Sequence, residues 1–280
     1  MNTIRGKFKV FKIDEKKYYS NEFKGNYEIV LLTGTINTMN DEFYTHIHMS
    51  AGIDNIFLYL WIKEIIMEQK DYWNKVSDTK EFSTPFQIEE FSKYVKKNDT
   101  VLDVGCGYGR TLNELYSNGY KSLIGIDFSK GMIERAEKIN SNIDFRVMNN
   151  SKIDLPDNSV DSVILLAVLT CIADDKNQKN LISEIQRVLK KDGIIYINDF
   201  LLNKDERNLK RYNEFKDKYN KYGVFELPEG AVCRHHDKQW INELLNNFEK
   251  IAFKEIEYTT MNGNKSNGFY YIGKKTKATN

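Results

Sequence analysis

The sequence predicts an α/β fold with a doubly wound, mostly parallel sheet and a β-rich N-terminal extension. From residue 83 to residue 200, short strand-like runs alternate with segments of helical periodicity, an order that produces a parallel sheet with helices on both faces. Ser162–Ala167 is almost continuously apolar, as expected for a strand that is buried on both faces. Tyr27–Asn37 and Glu42–Met49 predict two consecutive strands joined by a short polar turn, which makes the N-terminal region β-rich.

The 280 residues suffice for one large α/β domain with an appendage. We assign residues 1–55 to the β-rich extension and residues 56–280 to the larger domain. An amphipathic helix is predicted at their junction, over Asn55–Gln69. The larger domain divides into a core over 83–200, a candidate lid over 201–238, and a C-terminal helix and strands over 239–275.

The elements of the core follow from apolar periodicity and from turn residues. In order, they are helix Phe86–Lys96, strand Val101–Val104, helix Thr111–Ser117, strand Ser122–Asp127, helix Lys130–Lys138, strand Asp144–Met148, strand Ser162–Ala167, helix Asn177–Leu189 and strand Ile194–Asn198. We expect the last helix to end at Lys-Lys-Asp-Gly, since basic residues and glycine favour helix C-termini. Beyond the core, the patterns predict a helical stripe over Asn203–Tyr222, helix Gln239–Phe248 and an antiparallel pair of strands, Ile251–Thr259 and Gly268–Lys274.

The composition narrows the classes of partner. The chain has 41 Lys and Arg against 40 Asp and Glu, a formal net charge of +1, which argues against a dedicated nucleic-acid or membrane-surface protein. The three cysteines, Cys106, Cys171 and Cys233, are far apart and predict neither a disulfide framework nor a zinc site. We therefore expect a cytoplasmic protein without a structural metal, and a homo-oligomer remains open.

The decamer Val101–Arg110 predicts a nucleotide-binding βα corner. Its strand carries Asp103, and glycines follow at three alternate positions, where they allow the backbone to approach a ligand. The dinucleotide fingerprint requires a third glycine three residues after the second, and Arg110 occupies that position. A nicotinamide-dependent oxidoreductase is therefore disfavoured.

The pattern Asp-x-Gly-x-Gly-x-Gly resembles motif I of the class I S-adenosylmethionine (SAM) methyltransferases. The resemblance covers residues 83–200 and extends more weakly to the C-terminal strands. It also includes Phe145–Asp161, which is similar to the family's segment between the third and fourth strands, and Ile185–Gly193, which is similar to the helix and turn before the fifth. The resemblance implies a Rossmann-like fold, SAM as cofactor and methyl transfer as the reaction.

The resemblance assigns contacts to each part of the cofactor. Asp127 can accept hydrogen bonds from both ribose hydroxyls, while Asp103 can hold the α-ammonium directly or through water. The remaining candidates are Gly105, Cys106 and Gly107 for the methionine end, Phe128 and Met132 for apolar contact with adenine, Asn149 and Asn150 for the adenine edge, and Ala167 on the fourth strand. Taken singly, each acid is equally well explained as a helix cap and each glycine as a turn; their joint spacing favours the cofactor site.

Arg234-His235-His236 is the candidate acceptor cluster. His235 can act as a general base, while Arg234 can bind an acidic substrate with His236 beside it. The alternative is a surface loop in which His236 or Asp237 caps the next helix. Other candidates for the acceptor pocket are Asp199, past the fifth strand, and the upstream aromatics Tyr72 and Trp73, for which core packing is the alternative. For the helical stripe over Asn203–Tyr222 in the candidate lid, ordinary core packing is likewise the alternative.

These patterns favour a methyltransferase that acts on a small-molecule acceptor at nitrogen or oxygen. The alternative is a non-catalytic, SAM-responsive binding protein. Tyr27–Ser50 also resembles the middle of the PPC domain, a small domain that accompanies AT-hook DNA-binding proteins and occurs alone in prokaryotes; the Gly-Gly-His stretch that should follow is missing, so the resemblance implies no function here. His46 and His48 share a strand face but have no evident third ligand, so we expect packing or oligomerisation in this region.

Overall fold

The computed structural model describes residues 4–12, 17–25, 29–39, 42–51, 69–149, 152–260 and 263–276. The chain divides into two compact units, Met1–Ile65 and Ile66–Asn280. The division therefore comes ten residues later than the predicted one, within the range of the junction helix expected over Asn55–Gln69. That helix lies outside the described residues except for Gln69, which belongs to a described helical segment, α1, at residues 69–76.

The N-terminal unit contains two antiparallel hairpins. The first pairs β1 (Ile4–Lys12) with β2 (Lys17–Gly25), and the second pairs β3 (Ile29–Met39) with β4 (Glu42–Ala51). The second hairpin matches the two predicted strands to within two residues at each end. The first hairpin was not predicted, although in β1 apolar residues and lysines alternate with the two-residue period of a strand. The PPC resemblance remains a prediction.

The larger unit is built on a seven-stranded sheet. Its strands are β5 (Thr100–Val104), β6 (Ser122–Asp127), β7 (Asp144–Val147), β8 (Val160–Leu166), β9 (Leu189–Phe200), β12 (Phe248–Thr259) and β13 (Lys265–Lys275). The spatial order is β7-β6-β5-β8-β9-β13-β12, and β13 is antiparallel to both of its neighbours. The order reverses between β5 and β8, and such a switch point is where doubly wound sheets bind ligands. The predicted fold class is confirmed.

Helices cover both faces of this sheet. They are α2 (Ile88–Phe91), α3 (Arg110–Ser117), α4 (Lys130–Ile139), α5 (Asp175–Val188), α6 (Glu206–Tyr219) and α7 (Lys238–Leu244). On one face Leu112 and Ile133 pack into an apolar cluster, and on the other Ile185 and Trp240 do so. Side-chain oxygens of Ser129, Asp174, Asp205 and Asp237 cap the first turns of α4 to α7, which explains where those helices begin.

Three predicted boundaries were wrong. The helix expected over Phe86–Lys96 is confined to α2, because the chain turns before Asp99, whose carboxylate accepts the backbone N–H of Lys96 at 2.7 Å. The helix expected to end at a glycine cap ends at Val188 instead, and β9 follows at once. The helix expected over Gln239–Phe248 stops at Leu244, so that Phe248 can begin β12.

Between β9 and β12, the candidate lid contains α6 and a short hairpin. The hairpin pairs β10 (Val224–Glu226) with β11 (Val232–Arg234). β10 packs on α6, while β11 packs on the 3-10 turn Leu169–Cys171 that follows β8. The lid region is therefore attached to the carboxyl end of the sheet. None of the helices in the described part of the chain is long and apolar enough to cross a membrane.

Candidate functional site

The glycine loop between β5 and α3 adopts a conformation that only glycine takes readily. Gly105, Gly107 and Gly109 have φ of +74°, +53° and +77°. A Cβ on Gly105 would lie 2.7 Å from the Val168 side chain, and one on Gly107 would overlap the Phe82 ring. The backbone N–H groups of Gly105 and Cys106 both donate to the Ile126 carbonyl, at 2.8 and 3.1 Å, so the loop is attached to β6.

Asp127 ends β6 and connects this loop to the next helix. One carboxylate oxygen accepts the Gly107 N–H at 2.9 Å, and the other accepts the Ser129 N–H at 2.8 Å. Burial raises the pKa of Asp127 to about 6. Because a carboxylate offers about four lone-pair positions, Asp127 can accept further hydrogen bonds from a ligand while it holds the loop.

Asp103 lies on β5 with a carboxylate oxygen, Oδ1, that has no hydrogen-bond partner in the described structure. The side chain is 1% exposed, and burial together with the negative charge of Asp127 raises its pKa to about 7. A buried carboxylate without a partner is costly. A cationic group such as the α-ammonium of SAM would satisfy it, so this position and the tight glycine loop fit the cofactor that the resemblance implies.

The other predicted cofactor residues lie around the same strand ends. Met132 is buried in α4, and Phe128 is partly exposed between Asp127 and that helix. Ala167 follows β8 with φ +58° and donates its N–H to the Asn198 carbonyl at 2.8 Å. Asn149 is exposed, and Asn150 lies outside the described residues.

The upstream aromatics form a continuous wall against the glycine loop. Ring centroids are 5.0 Å apart for Tyr72 and Trp73, 5.9 Å for Trp73 and Phe82, and 4.9 Å for Phe82 and Tyr108. Asn74, in the same helical segment, accepts hydrogen bonds from the Ser129 hydroxyl at 2.8 Å and the Gly131 N–H at 3.3 Å. The sequence indicated Tyr72 and Trp73 but not Phe82 or Asn74, which no local motif marks.

Arg234 and His236 are both buried, and both have hydrogen-bond or ion-pair partners. The Arg234 guanidinium is 2% exposed and contacts the Asp175 carboxylate at 2.6 Å and the Ala173 carbonyl at 3.0 Å. His236 contacts the Gln178 amide at 2.8 Å and the Phe200 carbonyl at 3.2 Å, and burial lowers its pKa to about 3. Asp237 caps α7, as the alternative proposed, but the cluster is buried rather than on a surface loop.

His235 belongs to the candidate lid and lies in a compartment lined by aromatic rings. Its ring stacks on Phe200 at 5.4 Å and meets the Phe225 ring edge-on at 4.9 Å. Nδ1 lies 2.6 Å from the Tyr212 hydroxyl and 3.1 Å from the Asn203 amide nitrogen. Burial lowers the pKa of His235 well below its ordinary value, so the ring is neutral.

The neighbours of Nδ1 determine where the ring carries its proton. The Asn203 side-chain oxygen accepts the Asn267 N–H at 2.7 Å, which directs the amide NH₂ towards His235. The Tyr212 oxygen accepts the Asn203 N–H at 3.2 Å, and its own proton has two acceptors within reach, Nδ1 of His235 at 2.6 Å and Oδ1 of Asn208 at 3.4 Å, of which Nδ1 is the nearer. Nδ1 is therefore an acceptor and Nε2 carries the hydrogen. In this state His235 presents a donor to a ligand, whereas the predicted general base would need a free lone pair.

Asp199 is buried at the end of β9. It accepts the N–H groups of Phe200 at 2.8 Å and Thr170 at 3.2 Å, and burial raises its pKa to about 7. It therefore links β9 to the 3-10 turn that supports β11. In the described residues, no group of three His, Cys, Asp or Glu side chains is arranged to hold a metal ion.

Comparisons with known proteins agree with this geometry. A family model described as a methyltransferase domain matches residues 95–257. A SAM-dependent methyltransferase of known structure from Methanosarcina mazei is 30% identical with a TM-score of 0.64, and the match covers 69% of this chain and 98% of that chain.

Two curated relatives differ in what their names describe. The human eEF1A lysine and N-terminal methyltransferase is 29% identical over 111 residues, 36% of this chain and 16% of that protein. A Campylobacter jejuni ubiquinone/menaquinone biosynthesis C-methyltransferase is 25% identical over 185 residues, 60% of this chain and 77% of that protein. The chain thus spans a small part of the first relative. Because the family model covers more than half of the chain, the chain belongs to the methyltransferase-domain family, with the class I SAM-dependent methyltransferase fold.

Proposed function

We propose that this protein is a SAM-dependent methyltransferase that transfers a methyl group to a nitrogen or oxygen atom of a small molecule. The observation that carries the cofactor assignment is the buried carboxylate of Asp103, which has an unpartnered oxygen beside a glycine loop without room for side chains. The M. mazei relative supports the same cofactor.

Each part of the cofactor would meet a distinct group of residues. Asp103 would hold the α-ammonium, and the backbone of Gly105, Cys106 and Gly107 would line the methionine end. Asp127 would accept hydrogen bonds from the ribose hydroxyls. Phe128, Met132, Asn149, Asn150 and Ala167 would surround the adenine. When bound, SAM supplies a methyl group on a positively charged sulfur: the acceptor's lone pair forms the new bond, the carbon–sulfur electron pair stays on sulfur, and any acceptor proton leaves to solvent.

The acceptor would bind under the lid, beside His235, Phe200 and Phe225. His235 is 6% exposed, which favours an acceptor small enough to enter an aromatic compartment over a folded protein surface. Tyr72 and Trp73 would close the methionine end. Asp199, Arg234 and His236 would support the pocket through the β9 end and β11. Positioning and exclusion of water are the contributions such a site makes to methyl transfer.

The experiment that tests this proposal uses SAM labelled in its methyl group. The full chain is incubated with a desalted protein and RNA extract and, separately, with a deproteinised metabolite extract. We expect label in the metabolite extract only. Label in protein or RNA would contradict the substrate class. SAM binding without transfer to either extract would favour the non-catalytic, SAM-responsive alternative.

A matched pair of variants shows that any transfer depends on the proposed cofactor site. Asp103→Asn removes the buried charge, and Asp144→Asn makes the same change at a side chain that is 46% exposed on β7. We expect methyl transfer and SAM affinity to fall together in the first variant, and the second variant to match the wild type. Equal activity of both variants would contradict the role of Asp103.

A further inference from the structure

Arg211 lies on α6 against the β10–β11 hairpin, next to the compartment of His235. Its guanidinium carbon is 3.5 Å from the centroid of the Phe225 ring, a cation–π contact. Its guanidinium carbon also lies 5.9 Å from the centroid of the Tyr212 ring, and the Tyr212 hydroxyl contacts Nδ1 of His235. Arg211, Tyr212 and His235 therefore form one network of neighbouring side chains within the candidate lid.

The Arg211 guanidinium has no carboxylate partner in the part of the chain that the structure describes. Its buried Nε has no hydrogen-bond partner there, and the groups that favour its charged form are Tyr212 and Cys233. Arg234, by comparison, is paired with Asp175 at 2.6 Å. Arg211 is partly buried, and a partly desolvated cation without a counter-ion is costly, so an anion that binds Arg211 would be stabilised.

The same compartment presents a second donor. Because Nδ1 of His235 accepts hydrogen bonds from Tyr212 and Asn203, its Nε2 carries a proton that finds no acceptor among the described residues. Two unmatched donors therefore belong to this network, and neither is balanced by an acceptor among the described residues. A ligand that fits them must bring acceptor atoms and negative charge.

The network also lies on the side of the sheet where the acceptor is expected. Phe225 and Cys233 are opposite each other in the β10–β11 hairpin and share a face. β11 packs on the 3-10 turn Leu169–Cys171, which begins just after Ala167 at the carboxyl end of β8. This is the same end of the sheet as the glycine loop and Asp127.

We propose that the methyl acceptor is a small-molecule carboxylate and that Arg211 binds its carboxylate group, with the Nε2–H of His235 as a second donor. This inference rests on the proposed methyltransferase function and specifies its substrate class. A guanidinium fork matches the planar pair of carboxylate oxygens, and one unpaired cation balances one negative charge. The rings of Phe200 and Phe225 favour an apolar body behind the carboxylate.

The first test divides the metabolite extract before it is used. Anion exchange yields a retained pool and an unretained pool, and each is offered to the wild type with methyl-labelled SAM. We expect transfer with the retained pool alone, unchanged after that pool has been treated with phosphatase. Transfer with the unretained pool alone would contradict the inference, and so would sensitivity to phosphatase, which would indicate a phosphate-bearing acceptor.

Three variants connect that result to Arg211. Arg211→Gln should lower kcat/KM for the retained pool on the order of 100-fold, since hydrogen bonds to charged groups are the strong ones. Arg211→Lys should recover part of the loss because it restores the charge without the fork. Arg207→Gln removes an exposed arginine one turn earlier on α6 and should change kcat/KM by less than about twofold. SAM affinity should be the same in all three variants, and equal activity of Arg211→Gln and wild type would overturn the inference.

A binding measurement separates the failure of this inference from the failure of the proposed function. Calorimetry in the presence of S-adenosylhomocysteine compares benzoate with its neutral analogue benzamide. Binding of benzoate alone, lost in Arg211→Gln, would support the anion site even if the wild type transfers no methyl group. Transfer to neutral acceptors without benzoate binding would overturn the anion site and leave the methyltransferase intact. Absence of both transfer and benzoate binding would overturn both.

Discussion

The cofactor half and the acceptor half of the site differ in how their residues come together. In the cofactor half, Asp103, the glycine loop and Asp127 lie within the single stretch Val101–Met132, and neighbouring parallel strands bring them to one edge. In the acceptor half, His235 receives its contacts from β9, α6 and the hairpin. A local motif can therefore predict the first half, while the second depends on contacts between distant segments.

The two halves also differ in whether the polar groups that lack a hydrogen-bond partner are acceptors or donors. In the cofactor half, an acceptor, Oδ1 of Asp103, has no partner among the described residues. In the acceptor half, the buried Nε of Arg211 is a donor without a partner among the described residues, and the Nε2–H of His235 is a second donor. A buried polar group without a partner is costly, so each one indicates the ligand group that would satisfy it. The acceptor in the cofactor half indicates a cationic group, and the donors in the acceptor half indicate an anionic group. Four predictions test this comparison, from the largest effect to the smallest.

The largest effect is expected from Asp127→Asn in the cofactor half. This variant keeps the side-chain size but loses the charge that would receive two ribose hydroxyls, so SAM affinity should fall about 100-fold. Calorimetric titration measures it, with Asp144→Asn as the control for loss of an acid on the next strand. Affinity within a factor of three of wild type would remove the ribose assignment.

Arg234→Met should affect stability rather than substrate binding. It removes one of the two cations that contact the Asp175 carboxylate, Arg234 at 2.6 Å, and leaves Lys221 at 2.5 Å. Because that carboxylate is also 38% exposed, we expect a loss of about 1–2 kcal/mol in the free energy of unfolding. Denaturant titration measures this loss, and Arg211→Gln should show much less of it. A raised KM with unchanged stability would indicate that Arg234 binds the substrate. It would then contradict the assignment of a structural role to Arg234 and of substrate binding to Arg211.

SAM binding should depend on pH through Asp103. Its pKa is raised from 3.8 to about 7 in the folded protein, so the folded state holds this proton more tightly and the free protein loses stability as pH rises from about 4 to about 7. The ionised form is the one that pairs with an ammonium group. SAM affinity should therefore increase about tenfold from pH 6 to pH 8. The increase should be absent in Asp103→Asn; a pH dependence identical to wild type in that variant would assign it to another group.

The smallest effect compares two glycines that both have positive φ. Gly107→Ala and Gly119→Ala both place a side chain at positive φ, +53° and +88°, which costs about 1–2 kcal/mol. The new Cβ meets open space at Gly119 but overlaps the Phe82 ring at Gly107. Gly107→Ala should therefore lose about 1 kcal/mol more in thermal or denaturant unfolding, and only this variant should weaken SAM binding. Equal losses of stability would mean that the Phe82 ring moves aside at no measurable cost.

Much of the fold could be predicted because it repeats one physical pattern. Each strand of the core is an apolar run that helical periodicity follows, and all core strands were found within a few residues of their predicted positions apart from the early start of β9. The end of α5 could not be predicted in the same way. Gly193 is needed where a Cβ would crowd the Lys190 and Asp161 carbonyls, while the neighbouring Asp192 adopts the left-handed conformation with φ +61°. The role of Gly193 is therefore tertiary packing and not the capping of α5.

The sequence by itself determined the doubly wound sheet, the family and the nucleotide-binding corner, because each depends on residues that are neighbours along the chain. Only the tertiary structure decided which members of the basic cluster are available to a ligand. Arg234 has a carboxylate partner that comes from α5, His235 has a phenol that comes from α6, and Arg211 has no such partner among the described residues. Whether a charge is satisfied depends on groups that lie far apart in sequence, and no local pattern contains that information.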